Sequence, residues 1–304
     1  MAKRRPSSHR IARVASDSPA PVVVAGTLYV VATPIGNLQD LSERARQVLS
    51  SAGLVAAEDT RHSLRLLQAH GIKARCISVH EHNEIERVAP ILATLKSGAI
   101  VALVSDAGTP LVSDPGLRIV RAVIDAGFDV RAVPGPCAAI AALSICGLAT
   151  DRFCFEGFLP QKSAARCERL ATLAGDPRTL IFYEAPHRVG ECLADMSSVL
   201  GSARRAVVAR ELTKVFETVY RGTLAELARR AESDADMQRG EIVIIVEGVP
   251  GTDDDSDRAE LERALTVLLA ELPVSQAADL AAKLTGGSRN LAYQLALGIS
   301  GKRT

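Results

Sequence analysis

Ile100-Val101-Ala102-Leu103-Val104, running straight into Ser105-Asp106-Ala107-Gly108-Thr109-Pro110, is the stretch on which the fold turns. Five apolar residues without alternation read as a strand buried on both faces, the habit of a parallel sheet with helices above and below. The Gly/Pro-containing loop behind it marks the carboxyl end of that strand. Doubly wound sheets bind their ligands at such ends.

Working outward, strands of the same kind fall at 28–32, 54–57, 77–79 and 130–133. Helical spacing lies between them, at about 41–51, 61–69, 84–96, 117–126 and 137–146. This alternation predicts a doubly wound α/β domain over residues 26–150. A second α/β domain is expected over 151–249, with strands at 153–158, 179–183, 205–210, 218–221 and 242–247 and helices near 163–174, 187–199 and 223–233. Two of those strands follow each other with no helix between, which predicts a mixed sheet. Residues 250–257 read as an acidic linker, and 258–304 as a helical extension of about three short helices broken at Gly286-Gly287-Ser288. Residues 1–25 carry Lys3, Arg4, Arg5, Arg10 and Arg13 with no acid before Asp17, and are expected to be a disordered basic tail.

A chain of 304 residues, 47% hydrophobic, has room for two cored domains. Its 36 basic and 35 acidic residues leave a formal charge of +1. That excludes a protein held to nucleic acid by bulk charge, so any RNA contact must come from local basic groups. The six cysteines form no C-x-x-C pair and have no histidines at zinc spacing, which points to a reduced interior and no metal. No apolar run is long enough for a membrane span and no secretory h-region opens the chain, so a cytoplasmic protein is expected.

Three loops leave apolar strands with stiff and permissive residues mixed: 33–37, 105–116 and 134–138. Proline fixes the backbone and glycine lets it approach a ligand closely, so such loops grip a nucleoside through N–H and C=O groups. Neither G-x-G-x-x-G nor G-x-x-x-x-G-K-[ST] occurs, which removes the usual dinucleotide and P-loop readings.

Leu28-Tyr29-Val30-Val31-Ala32-Thr33-Pro34-Ile35-Gly36-Asn37-Leu38, Ser105 to Pro110 and Pro134-Gly135-Pro136-Cys137-Ala138 together resemble the ribosomal RNA ribose methyltransferase branch of the tetrapyrrole methylase class. Glu58-Asp59-Thr60-Arg61, His80-Glu81-His82-Asn83-Glu84, Tyr183-Glu184-Ala185-Pro186-His187-Arg188 and Arg210-Glu211-Leu212-Thr213-Lys214 are similar to that branch as well, in the same order along about 27–248. The resemblance implies two α/β domains with S-adenosylmethionine in the cleft between them, a homodimer, and no metal. It further implies methyl transfer to the ribose 2′-hydroxyl of a cytidine in the decoding region of 16S rRNA within the small ribosomal subunit. Carried over by motif, Pro34, Gly36, Ala107, Gly108, Thr109, Val112, Cys137, Ala138 and Glu184 would border the cofactor. Thr109 stands where the tetrapyrrole enzymes place the Asp of Gly-Asp-Pro, which disfavours a porphyrin acceptor.

A ribose hydroxyl is weakly acidic, so a positioned base or cation helps its methylation. Glu58, Asp59, His80 and Lys214 are the candidates for that role, and Arg61, Asn83, Arg188 and Arg210 for RNA contact. Each has a plainer reading. Glu58-Asp59 suits a helix start, a loop histidine is often structural, and Arg188 and Lys214 are ordinary charges taken singly. Their clustering at predicted strand ends favours substrate binding. A tetrapyrrole methyltransferase and a non-catalytic ribosome assembly factor stay open as alternatives.

Overall fold

The computed structural model describes residues 23–249 and 253–300, the side chains of 253–259 excepted. The basic tail's Lys3, Arg4, Arg5, Arg10 and Arg13 lie outside the described residues. Among the described residues, the chain as far as Ala142, joined by Arg210–Thr218, makes one compact unit; Leu143–Ala209 and those from Val219 onward make another.

The first unit holds five parallel strands: β1 (Leu28–Val31), β2 (Leu54–Ala57), β3 (Cys76–Ser78), β4 (Val101–Val104) and β5 (Val130–Val133), in the order β3-β2-β4-β1-β5. Between them run α1 (Glu43–Ser51), α2 (Thr60–Ala69), α3 (Glu84–Lys96) and α4 (Leu117–Asp125), and α5 (Ala138–Ile145) follows β5. The sheet is covered on both faces, and successive strand residues go to opposite cores as a two-residue period requires. Tyr29, Val31, Ala102 and Val104 pack with Val48, Leu49, Leu66 and Leu67 on one side. Leu28, Val101 and Leu103 pack with Ile91, Leu95, Ile119 and Val123 on the other. Two-sided burial is why these strands read as unbroken apolar runs. The helix expected from residue 41 begins at Glu43, because Ser42 is its N-cap, accepting the Ala45 N–H at 3.1 Å.

The second unit carries β6 (Phe153–Phe158), β7 (Thr179–Glu184), β8 (Arg205–Arg210), β9 (Thr218–Thr223) and β10 (Ile242–Val246), in the order β6-β7-β10-β8-β9. β7 runs parallel to β6 and antiparallel to β10, so the sheet is mixed as expected. Helices α6 (Ser163–Leu173), α7 (Val189–Leu200) and α8 (Leu224–Ser233) pack Leu170, Leu193, Met196 and Leu227 onto Phe182 and Ile244. A capping box, Thr223 with Glu226, starts α8.

Three further helices, α9 (Asp253–Leu268), α10 (Val274–Thr285) and α11 (Arg289–Ser300), share a core of Leu261, Leu265, Ala277, Ala281, Ala292 and Ala296. Small residues there let the helices approach closely. A Cβ on Gly287 would meet the Leu261 side chain at 2.8 Å. Asp253, Asp254 and Asp255, assigned to a linker from the sequence, instead begin α9. Consecutive acids suit the positive end of a helix dipole as well as they suit a solvated linker, and the sequence does not separate the two.

Candidate functional site

Strand order decides which loops meet. β4, β1 and β5 are neighbours, so the three Gly/Pro loops leave the same edge of the first sheet side by side. They are also bonded to one another. Thr33 and Gly108 exchange backbone hydrogen bonds of 2.8 and 3.1 Å. The Thr33 hydroxyl donates to the Ser105 carbonyl at 3.2 Å, and the Thr109 hydroxyl donates to the Pro136 carbonyl at 3.0 Å. Gly108 has φ +80°, and a Cβ there would sit 3.4 Å from Ile35 and 3.7 Å from the Pro136 oxygen. Pro34, Gly36, Ala107, Gly108, Thr109, Val112, Cys137 and Ala138 thus lie on three joined loops. Two residues of the middle loop, Leu111 (φ 72°) and Ser113 (φ 66°), are held in the left-handed region. Such backbone costs on the order of 1–2 kcal/mol per residue and persists where the surroundings impose it. Small side chains and main-chain groups predominate here, a lining that fits a nucleoside-bearing ligand.

The loops after β2 and β3 build the other half. They border a cavity of about 590 Å³ whose walls include Glu58, His80, His82, Asp114 and Arg118. Two hydrogen bonds tie this wall to the middle Gly/Pro loop: the Asp106 N–H donates to Glu58 Oε2 at 3.4 Å, and the Asp59 N–H donates to Asp106 Oδ1 at 3.0 Å. Burial pushes the Glu58 carboxyl above the ordinary carboxylate range; the Asp106 N–H opposes this, and the charges of Asp114, Asp106 and Asp59 reinforce it. Burial raises Asp114 likewise. Asp59 is the opposite case. Its carboxylate binds the Arg61 guanidinium at 2.7 and 3.1 Å and caps α2 through the Arg61 N–H at 2.8 Å, which holds it down at about 2. Adjacent acids have therefore been driven apart, one above the ordinary carboxylate range and one below it as a helix cap.

The other residues expected at the site divide sharply. Arg61 keeps 86% of its side chain exposed beside the cavity acids. Asn83 faces inward, 8% exposed, and bonds His80 and Ser78 rather than offering itself to RNA. The asparagine expected to contact RNA is thus buried and hydrogen-bonded within the protein. Arg188 is also engaged inside the protein: it pairs with Glu184 at 3.3 Å and donates to the carbonyls of Leu159 and Pro160 at 3.0 and 3.1 Å. The Glu184 side chain is fully buried and also accepts the Ala185 N–H at 2.8 Å. Arg210 is 8% exposed and donates to the Phe216 carbonyl at 3.1 Å. Buried guanidiniums satisfy backbone carbonyls well, and charge alone does not distinguish that use from anion binding. Lys214 pairs with Glu211 at 2.8 Å, its stem laid against Gly36 so closely that a Cβ on Gly36 would collide with it.

Sequence reasoning missed Glu84, Asp106, Asp114 and Arg118. Asp106 and Asp114 stand in a loop already singled out, and acids facing Glu58 were the available signal. Glu84 gave none, since it reads as an ordinary first-turn acid. Among the described residues no group of three or more His, Cys, Asp or Glu is placed to hold a metal, and no helix is long and apolar enough to cross a membrane.

The profile of the tetrapyrrole (corrin/porphyrin) methylases matches residues 27–228, and that of the RsmI C-terminal HTH domain matches 255–300. A ribosomal RNA small subunit methyltransferase I from Pseudomonas aeruginosa is 56% identical over 279 residues, 91% of this chain and 99% of its own. Its namesake from Xylella fastidiosa is 54% identical over 269 residues, 88% of this chain and 98% of its own. The chain belongs to the ribosomal RNA small subunit methyltransferase I family.

Solved structures place the family's fold. The methyltransferase CobJ matches with a TM-score of 0.56 at 20% identity, over 74% of this chain and 95% of that one. A uroporphyrin-III-C-methyltransferase from Thermus thermophilus matches with 0.52 at 20%, over 76% and 98%. Two α/β units of tetrapyrrole-methylase type, followed by a helical extension, are thus the architecture of this family member. The resemblance read from the loop motifs is borne out over nearly the whole chain.

Proposed function

We propose that this methyltransferase transfers a methyl group from S-adenosylmethionine to the ribose 2′-hydroxyl of a cytidine in the decoding region of 16S rRNA, in the cytoplasm, as a homodimer acting on the small ribosomal subunit. The observation that carries the reading is Glu58: a carboxylate with a raised proton affinity, facing a cavity and bonded at its back to the loop of Gly108. S-adenosylmethionine, when bound, supplies an electrophilic methyl group on a sulfonium. Pro34, Gly36, Ala107, Gly108, Thr109, Val112, Cys137 and Ala138 would hold it, and the left-handed Gly108 is the feature of this chain that fits close backbone approach.

The protein's own contribution is alignment and proton transfer. Orienting the acceptor hydroxyl supplies much of the rate in such a displacement. Glu58 takes the proton that the hydroxyl loses, and its raised affinity brings it nearer that task than an ordinary carboxylate. Asp59, held at about 2, is a poor proton acceptor and serves to fix Arg61. Arg61 and Arg118 offer positive charge to phosphate at the cavity mouth, and a 2′-hydroxyl acceptor makes the site selective for RNA.

The test is incubation with labelled S-adenosylmethionine and unmethylated small subunits, followed by mapping of ribose methylation. One labelled cytidine in the decoding region supports the proposal. Cofactor binding without label in RNA overturns it.

A further inference from the structure

We infer that Asn83 is a positioning residue that fixes the His80 imidazole with its proton on Nδ1, so that His80 offers a hydrogen-bond donor, not a lone pair, to an oxygen of the ligand entering the cavity. The donor half of this rests on the cavity being the acceptor pocket; the tautomer half rests on geometry alone.

Asn83 precedes α3 and is buried. Its side-chain oxygen accepts the His80 backbone N–H at 2.9 Å, and its amide nitrogen donates to the Ser78 carbonyl at 3.2 Å. Those two partners fix which way the amide points. Turning it over would set the NH₂ against an N–H and the oxygen against a carbonyl, so both bonds would become repulsions. In the orientation that remains, the amide nitrogen also stands 3.0 Å from His80 Nε2. An amide nitrogen only donates. Nε2 must then accept with its lone pair, and the proton of the neutral ring sits on Nδ1.

Nδ1 has no hydrogen-bond partner among the described residues, and His80 lines the cavity. The His82 ring meets the His80 ring edge-on, with centroids 6.1 Å apart. What reaches the cavity is therefore an N–H, suited to a ribose or phosphate oxygen. The lone pair that a base requires is turned inward and used. This separates two residues that the sequence left as equal candidates, with His80 as donor and Glu58 as proton acceptor.

The full-length protein, labelled with ¹⁵N-histidine, tests this directly through long-range ¹H–¹⁵N spectra recorded where the imidazoles are neutral. His80→Gln identifies the His80 signals. The expected spectrum is the Nδ1–H tautomer; an Nε2–H tautomer or a mixture overturns the inference. Asn83→Asp keeps an oxygen for the His80 N–H but puts an acceptor where the amide donor stood. It should switch the ring to Nε2–H and lower kcat on subunits by about tenfold, the loss of roughly one hydrogen bond's worth of alignment, with KM for S-adenosylmethionine unchanged. Should that variant fail to fold, the wild-type spectrum still decides. An Nδ1–H tautomer with undiminished turnover in His80→Gln would overturn the donor role while leaving the positioning intact. Failure of the wild type to label small subunits would overturn the proposed function and leave the tautomer standing.

Discussion

The Glu84 carboxylate, at the first residue of α3, accepts the backbone N–H of Gly116, where α4 begins. Its second oxygen accepts the Arg118 N–H at 3.2 Å, and the side chain is 6% exposed. Gly116 has no side chain with which to cap α4, so another helix supplies the cap. Glu84, Gly116 and Arg118 all line the cavity, and Asn83, which precedes Glu84, holds His80 in the same lining. Glu84→Ala leaves the buried Gly116 N–H unmet, together with the half-buried Arg118 N–H, and should cost about 1–3 kcal/mol in denaturant unfolding. Faster amide exchange at Gly116 and Arg118 should accompany the loss; unchanged exchange would refute the cap.

Glu58→Gln should lower methyl transfer by about 10²-fold or more while S-adenosylmethionine binding is retained, as removal of a positioned base does. Because burial raises this carboxyl in the folded state, its charged form opposes folding once the pH rises through that raised value. The same variant should therefore be as stable as the parent at neutral pH, or more so. In the parent, kcat should climb with pH through a value above the usual carboxylate range. A flat profile there would remove Glu58 from the reaction.

Asp59→Asn should behave differently. The depressed carboxyl contributes stability above the ordinary Asp range, and that contribution is lost as pH falls toward about 2. Loss of the Arg61 pair should lower the melting temperature at pH 7 and narrow the gap to the parent near pH 2. Turnover should fall far less than in Glu58→Gln. A loss as large as that one would return Asp59 to the list of bases.

Gly36→Ala should drive a methyl group into the Lys214 stem and crowd the Thr213 hydroxyl, 3.0 Å from the added carbon. Overpacking of this kind costs about 1–3 kcal/mol. Combining it with Lys214→Ala removes the nearest atoms, so the double variant should be less destabilised than the sum of the singles. Additive losses would show that the two segments do not press on each other in solution.

Arg188 and Arg61 should separate in opposite assays. Arg188 is 14% and Glu184 0% exposed, so Arg188→Ala strands a buried carboxylate and should cost about 3–5 kcal/mol of stability. Arg61→Ala should lose only the small contribution of its exposed pair with Asp59, weaken subunit binding, and reduce the slope of log affinity against log salt by about one. An unaltered salt slope would exclude a phosphate contact at Arg61.

The sequence by itself determined the doubly wound first sheet, because strands covered on both faces leave unbroken apolar runs such as 100–104 that admit few other readings. It also singled out three loops as the candidate site, since Gly and Pro behind three such strands have a backbone reason to be there, and the motif order identified the family. Tertiary structure alone decided the roles of individual charges. Glu58 and Asp59 are neighbours with the same functional group, yet one is half-buried beside other acids while the other meets an arginine. Arg61 and Arg188 are indistinguishable as letters, but one faces solvent and the other fills a buried pair. Ionisation and hydrogen bonding depend on what surrounds a group within a few ångströms, and those neighbours come from 30 to 50 positions away, as with Glu58 and Asp106 or Glu84 and Gly116. Local pattern carries no record of such meetings; strand order and helix packing create them.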